Sequence, residues 1–374
     1  MIDGYMITTR SQFRKLSLFT RITLYTGIAC SSVSWIHGDE ADSADDDELE
    51  PVQFYRSPEE RREAGLGTKL TDWLTFYGLL EGEIEYAKDK YLDRSTFSQD
   101  EDTEAIQIGL EADFNEWLFG EFVLEIENDR KIRTLVDEGV LALEFDTWAI
   151  KGGIMNLDFG EYYSHLVTGP LLEFGETRKW TLAFEQELNN STDVVVYSFE
   201  KESVLANEDI GWGASFEWVS EDEAIRVGGG YLSDVRESDD FYREEDYATA
   251  NDVSAWNMYA MAGFESFEVT AEIVESIDHF LVEEERFRPR SYNLELAYFV
   301  TENLQIAGRV EHAKDLVEEP EWQTGVGITW LAMEHLLISV DYLHGDFESP
   351  LEIEEDEEYL KNRKIFAAQV AIEF

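Results

Sequence analysis

The stretch WLTFYGLLEGEIEY, residues 73 to 86, alternates between two kinds of side chain. From residue 74 onward the even positions carry apolar residues, aromatics and glycines, while the odd positions include Glu81, Glu83 and Glu85. A period of two places the two sets on opposite faces of a β-strand, whereas a helical face would repeat every 3.6 residues. The stretch therefore predicts a strand with one apolar face and one acidic face.

The same alternation recurs along the chain and predicts about sixteen strands, an even number of the kind that bacterial barrels use. The predicted strands lie near residues 74–86, 106–114, 118–127, 139–145, 148–155, 179–185, 193–199, 210–218, 224–232, 254–264, 267–275, 290–299, 304–311, 324–330, 336–343 and 364–374.

Short and long connections take turns between these strands. The long ones are acidic and lie at 88–103, 156–178, 233–253, 276–289 and 344–363. A membrane barrel has short periplasmic turns on one rim and long extracellular loops on the other, whereas a soluble sandwich does not. The predicted fold is all-β, a transmembrane antiparallel β-barrel of about 16 strands in the outer membrane of a Gram-negative bacterium. An even strand number places both chain ends in the periplasm.

Three parts are predicted along the chain. Residues 1–38 resemble a secretory signal peptide, because basic residues precede a mildly apolar run; a basic tail is the alternative. Residues 39–70 form an acidic linker and a short N-terminal segment, with a short helix expected within 51–70. Residues 71–374 form the barrel.

The composition excludes two classes of protein. The chain carries 29 Lys and Arg against 82 Asp and Glu, a net charge of −53, and a nucleic-acid partner would need a basic surface. Beyond the predicted signal peptide no run of eighteen apolar residues occurs, so a helical membrane span is not predicted.

Aromatic residues mark both ends of the predicted strands, as the interfacial girdles of a membrane barrel do. Beside the short turns lie Trp73, Phe114, Trp117, Phe145, Trp148, Phe184, Trp218, Phe264, Phe267, Tyr298, Phe299 and Trp330. Beside the long loops lie Tyr86, Trp180, Phe199, Trp212, Tyr231, Trp256, Tyr292, Tyr342 and Phe366. The alternative is that aromatics flank any half-buried strand.

The last strand alternates apolar residues and ends on Phe374. This ending resembles the signal read by the outer-membrane barrel assembly machinery, which is therefore an expected partner together with the lipid bilayer. The alternative is a sheet that happens to end the chain.

If the apolar faces meet lipid, the acidic faces line the lumen. The inward carboxylates are then Glu81, Glu83, Glu85, Glu111, Asp113, Glu121, Glu125, Glu127, Glu217, Glu272, Glu295, Asp341 and Glu373. Confined carboxylates attract cations and repel anions. Lys151, Arg226 and Arg309 are the basic candidates; each either meets an acidic solute or neutralises neighbouring glutamates.

Catalysis is not predicted. The six histidines have no metal-ligand spacing, and the glycine run at 228–230 is not followed by the Lys of a phosphate loop. Carboxylates are too numerous for one acid–base pair to stand out. We therefore expect no enzyme activity, no cofactor and no metal site.

The connection after the fifth strand differs from the other long ones. Residues 157 to 180 read LDFGEYYSHLVTGPLLEFGETRKW, less acidic than the other loops and rich in apolar residues that would be poorly placed in water. We expect this loop to fold into the barrel as a constriction, the alternative being an external loop. The expected solute contacts are Tyr162, Tyr163, Glu173, Glu176 and Arg178.

Two runs carry a family resemblance. The run GPLLEFGETR at 169–178 resembles a DPLTLELGETR-type motif of the legiobactin-receptor (LbtU) siderophore porin family, and 152–160 resembles its GRMYVPFG-type run. The opening strand and Phe374 are also similar, over roughly residues 70–374. Departures are Gly169 for the usual Asp, Gly153 and Ile154 where Arg-Met is expected, and the acidic composition.

The resemblance implies uptake of a ferric siderophore through a barrel without an N-terminal plug, independent of TonB. The family ligand is a polycarboxylate, so either the basic trio and bound metal ions compensate for the acidic lumen or this chain carries a cationic solute.

Two other functions stay open at this point. One is a general cation-preferring diffusion porin, and the other is a structural or adhesive surface barrel whose acidic loops bind Ca²⁺. The sequence does not fix the oligomeric state, a homotrimer included.

Overall fold

A computed structural model describes residues 67–91, 97–129, 131–201, 210–238, 241, 252–264, 266–282, 285–316, 319–333, 335–347 and 360–374. The predicted signal peptide and nearly all of the predicted acidic linker lie outside the described residues. The short helix expected within 51–70 lies mostly outside the described residues and stays a prediction; at the end of that range Thr68–Thr71 forms a short strand.

The described chain is built from strands, with two one-turn 3-10 helices at Glu173–Gly175 and Val235–Glu237. The strands are β1 (Thr68–Thr71), β2 (Leu74–Tyr91), β3 (Phe97–Asn115), β4 (Leu118–Asp129), β5 (Lys131–Phe145), β6 (Trp148–Asn156), β7 (Arg178–Asn189), β8 (Thr192–Glu200), β9 (Ile210–Val219), β10 (Ile225–Leu232), β11 (Ala255–Phe264), β12 (Phe267–Ser276), β13 (Phe280–Val282), β14 (Glu285–Phe287), β15 (Arg290–Thr301), β16 (Leu304–Lys314), β17 (Trp322–Met333), β18 (Leu336–Asp346) and β19 (Leu360–Glu373).

Sixteen of these strands form one closed antiparallel barrel, which confirms the predicted fold class. Each strand pairs with its neighbours in the chain, β12 pairs with β15, and β19 returns to β2. β13 and β14 form a separate hairpin within the connection between β12 and β15. Each predicted strand corresponds to one barrel strand.

Phe374 lies at the seam of the barrel. Its backbone N–H donates to the carbonyl of Gly78 at 3.0 Å, and the Gly78 N–H donates to the Phe374 carbonyl at 2.8 Å. Its ring lies 6.0 Å from that of Phe76. Beyond this point β1 pairs with the start of β2 and so covers a strand edge that β19 leaves open.

One predicted long connection is wrong. The segment 88–103 is mostly strand, because β2 continues to Tyr91, β3 starts at Phe97, and their ladder extends to the pair Asp89 and Phe97. A ladder needs only backbone groups, so a strand can continue above the apolar belt with polar side chains on both faces. Apolar periodicity therefore underestimates strand length.

The outer surface is an apolar belt. Leu141 and Leu182 are both 59% exposed, and aromatic side chains are exposed toward both rims. Such a surface is unfavourable in water and fits the hydrocarbon of a bilayer. Two expected girdle residues point inward instead: Phe199 is buried in the apolar cluster at the mouth, and Phe299 packs against His165.

None of the described helices has the length and hydropathy that a membrane crossing needs.

Candidate functional site

The segment 157–177, between β6 and β7, lies against the inner wall of the barrel and is called the inward loop below. The inner faces of four strands hold it by accepting hydrogen bonds from its backbone. The carboxylates that accept them are Glu272 on β12, Glu295 on β15, Glu311 on β16 and Asp341 on β18.

Glu272 and Glu295 hold the first half of the inward loop. The two oxygens of Glu272 accept the N–H groups of Glu161 and Tyr162, each at 2.8 Å. Glu295 accepts the N–H of His165 at 2.5 Å and the hydroxyl of Ser164 at 2.8 Å. A carboxylate that accepts two donors satisfies backbone groups that a loop removed from water would otherwise leave unpaired.

Asp341 and Glu311 hold the second half. Asp341 accepts the N–H of Thr168 at 3.0 Å, and Glu311 accepts the N–H of Leu171 at 2.7 Å. Gln323 donates to the second oxygen of Glu311 at 2.9 Å. The loop therefore follows the wall from β12 to β18 and returns to β16.

Arg309 binds the carbonyl side of the same loop. Its guanidinium donates to the Thr168 carbonyl at 2.8 Å, the Gly169 carbonyl at 2.9 Å and the Ser164 hydroxyl at 3.0 Å. Its Nε lies 3.0 Å from Glu311. The planar fork of arginine suits several acceptors at once, and here it links the loop to β16.

Apolar side chains seal the loop against the wall. Phe159, Leu172 and Phe174 belong to a buried cluster that continues into the segments at the extracellular mouth. Leu166 packs over Gly325, where an added Cβ would come 2.8 Å from its Cδ2. The small residue in β17 therefore makes room for the loop.

A sharp turn at the start of the loop decides where its tyrosines point. Gly160 has φ +90 and Tyr162 has φ +50, both in the left-handed region. A Cβ at Gly160 would lie 2.4 Å from the Tyr162 ring, so only glycine fits. The turn directs Tyr162 into the buried cluster, where it is 3% exposed.

The five expected solute-contact residues do not share one environment. Tyr162 is buried within the protein, so a role in solute contact is not retained. Tyr163, Glu173 and Glu176 are partly exposed. Arg178 starts β7, two residues before the outward-facing Trp180, and its guanidinium pairs with Asp137 on β5.

His165 forms the deepest contact of the loop. Its Nε2 lies 3.1 Å from Glu268 near the periplasmic end of β12, and its ring lies edge-on to Phe299. Burial by itself lowers the pKa of His165, but the hydrogen bond and charge of Glu268, with the charge of Glu295, outweigh it and raise the pKa above its ordinary value. The protonated imidazole is therefore favoured in this position.

The expected lumen carboxylates fall into two groups. Glu295 is completely buried under the inward loop, and Glu83 is 5% exposed. Glu111 on β3 and Glu125 on β4 remain partly exposed on the inner face, as does Glu121, which accepts the Tyr77 hydroxyl at 2.5 Å. Of the buried pair only Glu295 holds the loop, while the partly exposed carboxylates line the remaining lumen.

The expected lumen basic residues all have acidic partners. Lys151 lies 2.8 Å from Glu185. Arg226 lies 3.4 Å from Glu161 and 3.5 Å from Glu217. Arg309, described above, pairs with Glu311 and is 1% exposed.

Two carboxyl groups of the loop have shifted acidity. Burial raises the pKa of Glu161 to about 7, although Arg226 opposes the shift. Burial also raises the pKa of Asp158 to about 6, with Lys151 opposing it. Both groups can therefore change charge near neutral pH.

Sequence reasoning missed several residues of the site. Glu311, Glu268 and Ser164 were not expected to take part, nor was the buried Lys179, which lies 3.4 Å from Glu237. The alternation in β16 does place position 311 on the inner face, so that glutamate had a detectable signal. Among the described residues no cluster of His, Cys, Asp or Glu could hold a metal ion.

Neither a protein-family model nor a curated protein matches this chain. The fold, however, matches solved porins. OprB of Pseudomonas putida superposes with a TM-score of 0.60 at 11% identity, over 81% of this chain and 94% of OprB. OmpF of Salmonella typhi, solved with daunomycin, gives 0.57 at 14% identity, over 80% and 97%.

An anion-selective porin from Comamonas acidovorans gives a TM-score of 0.59 at 8% identity, over 80% of this chain and 99% of that porin. These likenesses show that the chain has the fold of solved outer-membrane porins, and the exposed apolar belt is consistent with that fold. They do not extend to the siderophore family. One of these porins is anion-selective, so the fold alone does not determine whether a channel prefers cations or anions. That preference depends on the side chains that line each channel.

His165 gives the site a pH dependence that can be measured. Because its pKa is raised, its pairing with Glu268 and Glu295 is fully present below the ordinary histidine value and is lost as pH rises through the raised pKa. We expect open-channel current noise to increase as the pH rises from below the ordinary histidine value through the raised pKa of His165, because the loop anchor weakens over that interval.

The His165→Gln variant should lose this pH-dependent component, while His312→Gln, altered on the lipid-facing side, should keep it. Glu161 and Asp158 titrate in both variants, so only the difference between the variants reports on His165. An identical pH profile in His165→Gln and the unaltered protein would contradict the assignment.

Proposed function

We propose that this barrel is a passive diffusion channel that prefers cations and is narrowed by the inward loop. The observation that supports this proposal most directly is that the partly exposed side chains Glu111, Glu121 and Glu125 line one part of the lumen wall, while each of the three expected basic residues, Lys151, Arg226 and Arg309, already has a carboxylate beside it. The net charge offered to a solute is therefore negative.

The position of these carboxylates relative to the loop supports the proposal. β4, which carries Glu121 and Glu125, is eight strands away from β12, where Glu272 anchors the loop. Eight of sixteen strands is half the circumference, so the acidic wall is across the lumen from this anchor. A solute would pass between them, where confinement and low-dielectric walls strengthen the field of the carboxylates.

Siderophore uptake is a more specific proposal than passive diffusion, and it rests on the resemblance of residues 169–178 to the siderophore porin family. The pairing of the basic trio argues against a polycarboxylate ligand, because no lysine or arginine of the trio lacks a carboxylate partner. We therefore propose that any siderophore carried here is neutral or cationic, with ordinary small cations as the general solute.

A salt gradient across a planar bilayer tests the channel and its charge preference. The purified barrel should give discrete conductance steps and a reversal potential of the sign expected for cations. An anion-selective current would overturn the charge assignment, and a correctly folded barrel without conductance would favour the structural or adhesive alternative. Siderophore uptake is tested by the growth of an iron-starved strain that lacks the gene, with a cationic or a polycarboxylate ferric siderophore as the iron source. The proposal of siderophore uptake fails if neither siderophore supports better growth in the complemented strain than in the deletion strain.

A further inference from the structure

The outer face of the barrel carries a concentrated group of basic residues at the extracellular rim. Lys88 on β2, Lys364 on β19 and His344 on β18 are direct cross-strand neighbours. Each is two residues above an aromatic on the same outward face, since the row below consists of Tyr86, Phe366 and Tyr342. In a chain with 82 acidic residues this is an unexpected place for cations to meet.

Neither lysine forms an ion pair with any side chain that the structure describes. His344 has Asp346 at 3.5 Å. Side chains directly opposite in an antiparallel ladder are about 5 Å apart at Cβ, and like charges in such a pair are destabilising. An anion between Lys88 and Lys364 would remove this repulsion.

A second group of basic residues is found on β15 and β16, which β17 separates from the first group. Arg290 on β15 and Lys314 on β16 are cross-strand partners, and Arg290 lines an outward hollow of about 480 Å³ together with Tyr292, His312 and Trp322. The His312 ring packs edge-on to Trp322 at 4.5 Å. Acidic neighbours are few here: Glu275 lies 3.8 Å from Arg290, and Glu321 lies 3.7 Å from His312.

The outer rim from β8 to β12 differs in composition, and on β7 the outward Arg178 is paired with Asp137. From β8 to β12 the described outward positions at the extracellular end carry no lysine or arginine. They are Glu200, Ile210, Trp212, Tyr231, Trp256 and Glu275. The basic residues therefore form a one-sided patch, which we call the basic rim: Lys88, Lys364, His344, Arg290 and Lys314.

We propose that the basic rim binds the phosphate groups of an anionic glycolipid, a lipid A-type molecule, in the outer leaflet. The aromatic row below it marks the height of the headgroups. The strand ends above it carry the longer connections, which places it on the extracellular side. Charge complementarity selects the phosphates, and the exposed apolar belt below would accept the acyl chains. This inference is independent of which solute the channel carries.

Native mass spectrometry of the purified full-length barrel tests the proposal. The protein is incubated with bisphosphorylated lipid A, monophosphorylated lipid A or phosphatidylglycerol, and bound lipid is counted. We expect bisphosphorylated lipid A to be retained best, and a Lys88→Gln, Lys364→Gln double variant to retain it about tenfold less. The control variant is Lys69→Gln, which replaces an exposed lysine near the opposite rim. It should retain lipid A as well as the unaltered protein does.

Two results would overturn the proposal. Equal retention of lipid A by the double variant would mean that Lys88 and Lys364 do not bind its phosphates. Equal retention of phosphatidylglycerol and lipid A would mean a generic anionic surface instead of a glycolipid site. Unchanged conductance in the double variant serves as the folding control, because the basic rim lies outside the lumen.

Discussion

Deleting residues 161–172 should increase the single-channel conductance roughly twofold or more. The deletion removes the part of the inward loop that lies along the inner wall from β12 to β18 and occupies part of the lumen. The remaining loop residues easily join the flanking strands, since Asn156 and Arg178 are already paired across the β6–β7 ladder. Conductance of the reconstituted barrel in a planar bilayer gives the measurement.

The barrel should survive this deletion. Glu272, Glu295, Asp341 and Glu311 would lose their loop partners, but the lumen would hydrate them, so they would not remain as buried unpaired charges. The strand ladders do not involve the deleted residues, and heat-modified gel mobility can verify assembly. If a correctly assembled deletion variant conducts as the unaltered protein does, the inward loop is not the constriction.

The strands could be predicted from the sequence because a membrane barrel enforces alternation residue by residue. At each second position a side chain meets lipid, as Ile84 does, and between them a side chain meets the lumen, as Glu83 does. The ends of the strands carry no such constraint. This explains why β2 and β3 extend into a segment that was expected to be a loop.

The roles of individual lumen residues could not be predicted in the same way. Glu125 and Glu295 have the same local pattern, yet Glu295 is completely buried by a loop that is 130 residues away in the chain. Tyr162 and Tyr163 are adjacent, but the left-handed turn at Gly160 and Tyr162 directs one of them into the protein. Accessibility depends on contacts between distant segments, which alternation does not encode.

The distinction between anchoring and accessible carboxylates has a consequence for transport. Carboxylates that hold the loop already accept hydrogen bonds from its backbone, so their main contribution is to the shape of the channel. The accessible group contributes the field that a passing ion meets. Selectivity should therefore depend on a few residues of β3 and β4 and not on the overall charge of −53.

The triple variant Glu111→Gln, Glu121→Gln and Glu125→Gln should lower the cation-to-anion permeability ratio several-fold, because it removes three partly exposed charges from one wall of a confined lumen. Glutamine keeps the size and the polarity of each side chain, so pore dimensions and conductance at high salt should change little. The reversal potential in a salt gradient gives the ratio. It should be measured at about 0.1 M salt, where the Debye length of about 10 Å limits each carboxylate to its own part of the lumen.

A matched control removes the same number of charges elsewhere. Glu116, Glu221 and Glu302 are exposed in short turns at the periplasmic rim, so their replacement by glutamine changes the net charge identically without altering the lumen wall. We expect this control to keep the reversal potential of the unaltered protein. If both triple variants shift it equally, the preference arises from the overall charge of the barrel; if neither does, the wall of β3 and β4 is not the selectivity element. A shift confined to the lumen variant supports selection by the acidic wall, since only local carboxylates act within a Debye length of the passing ion.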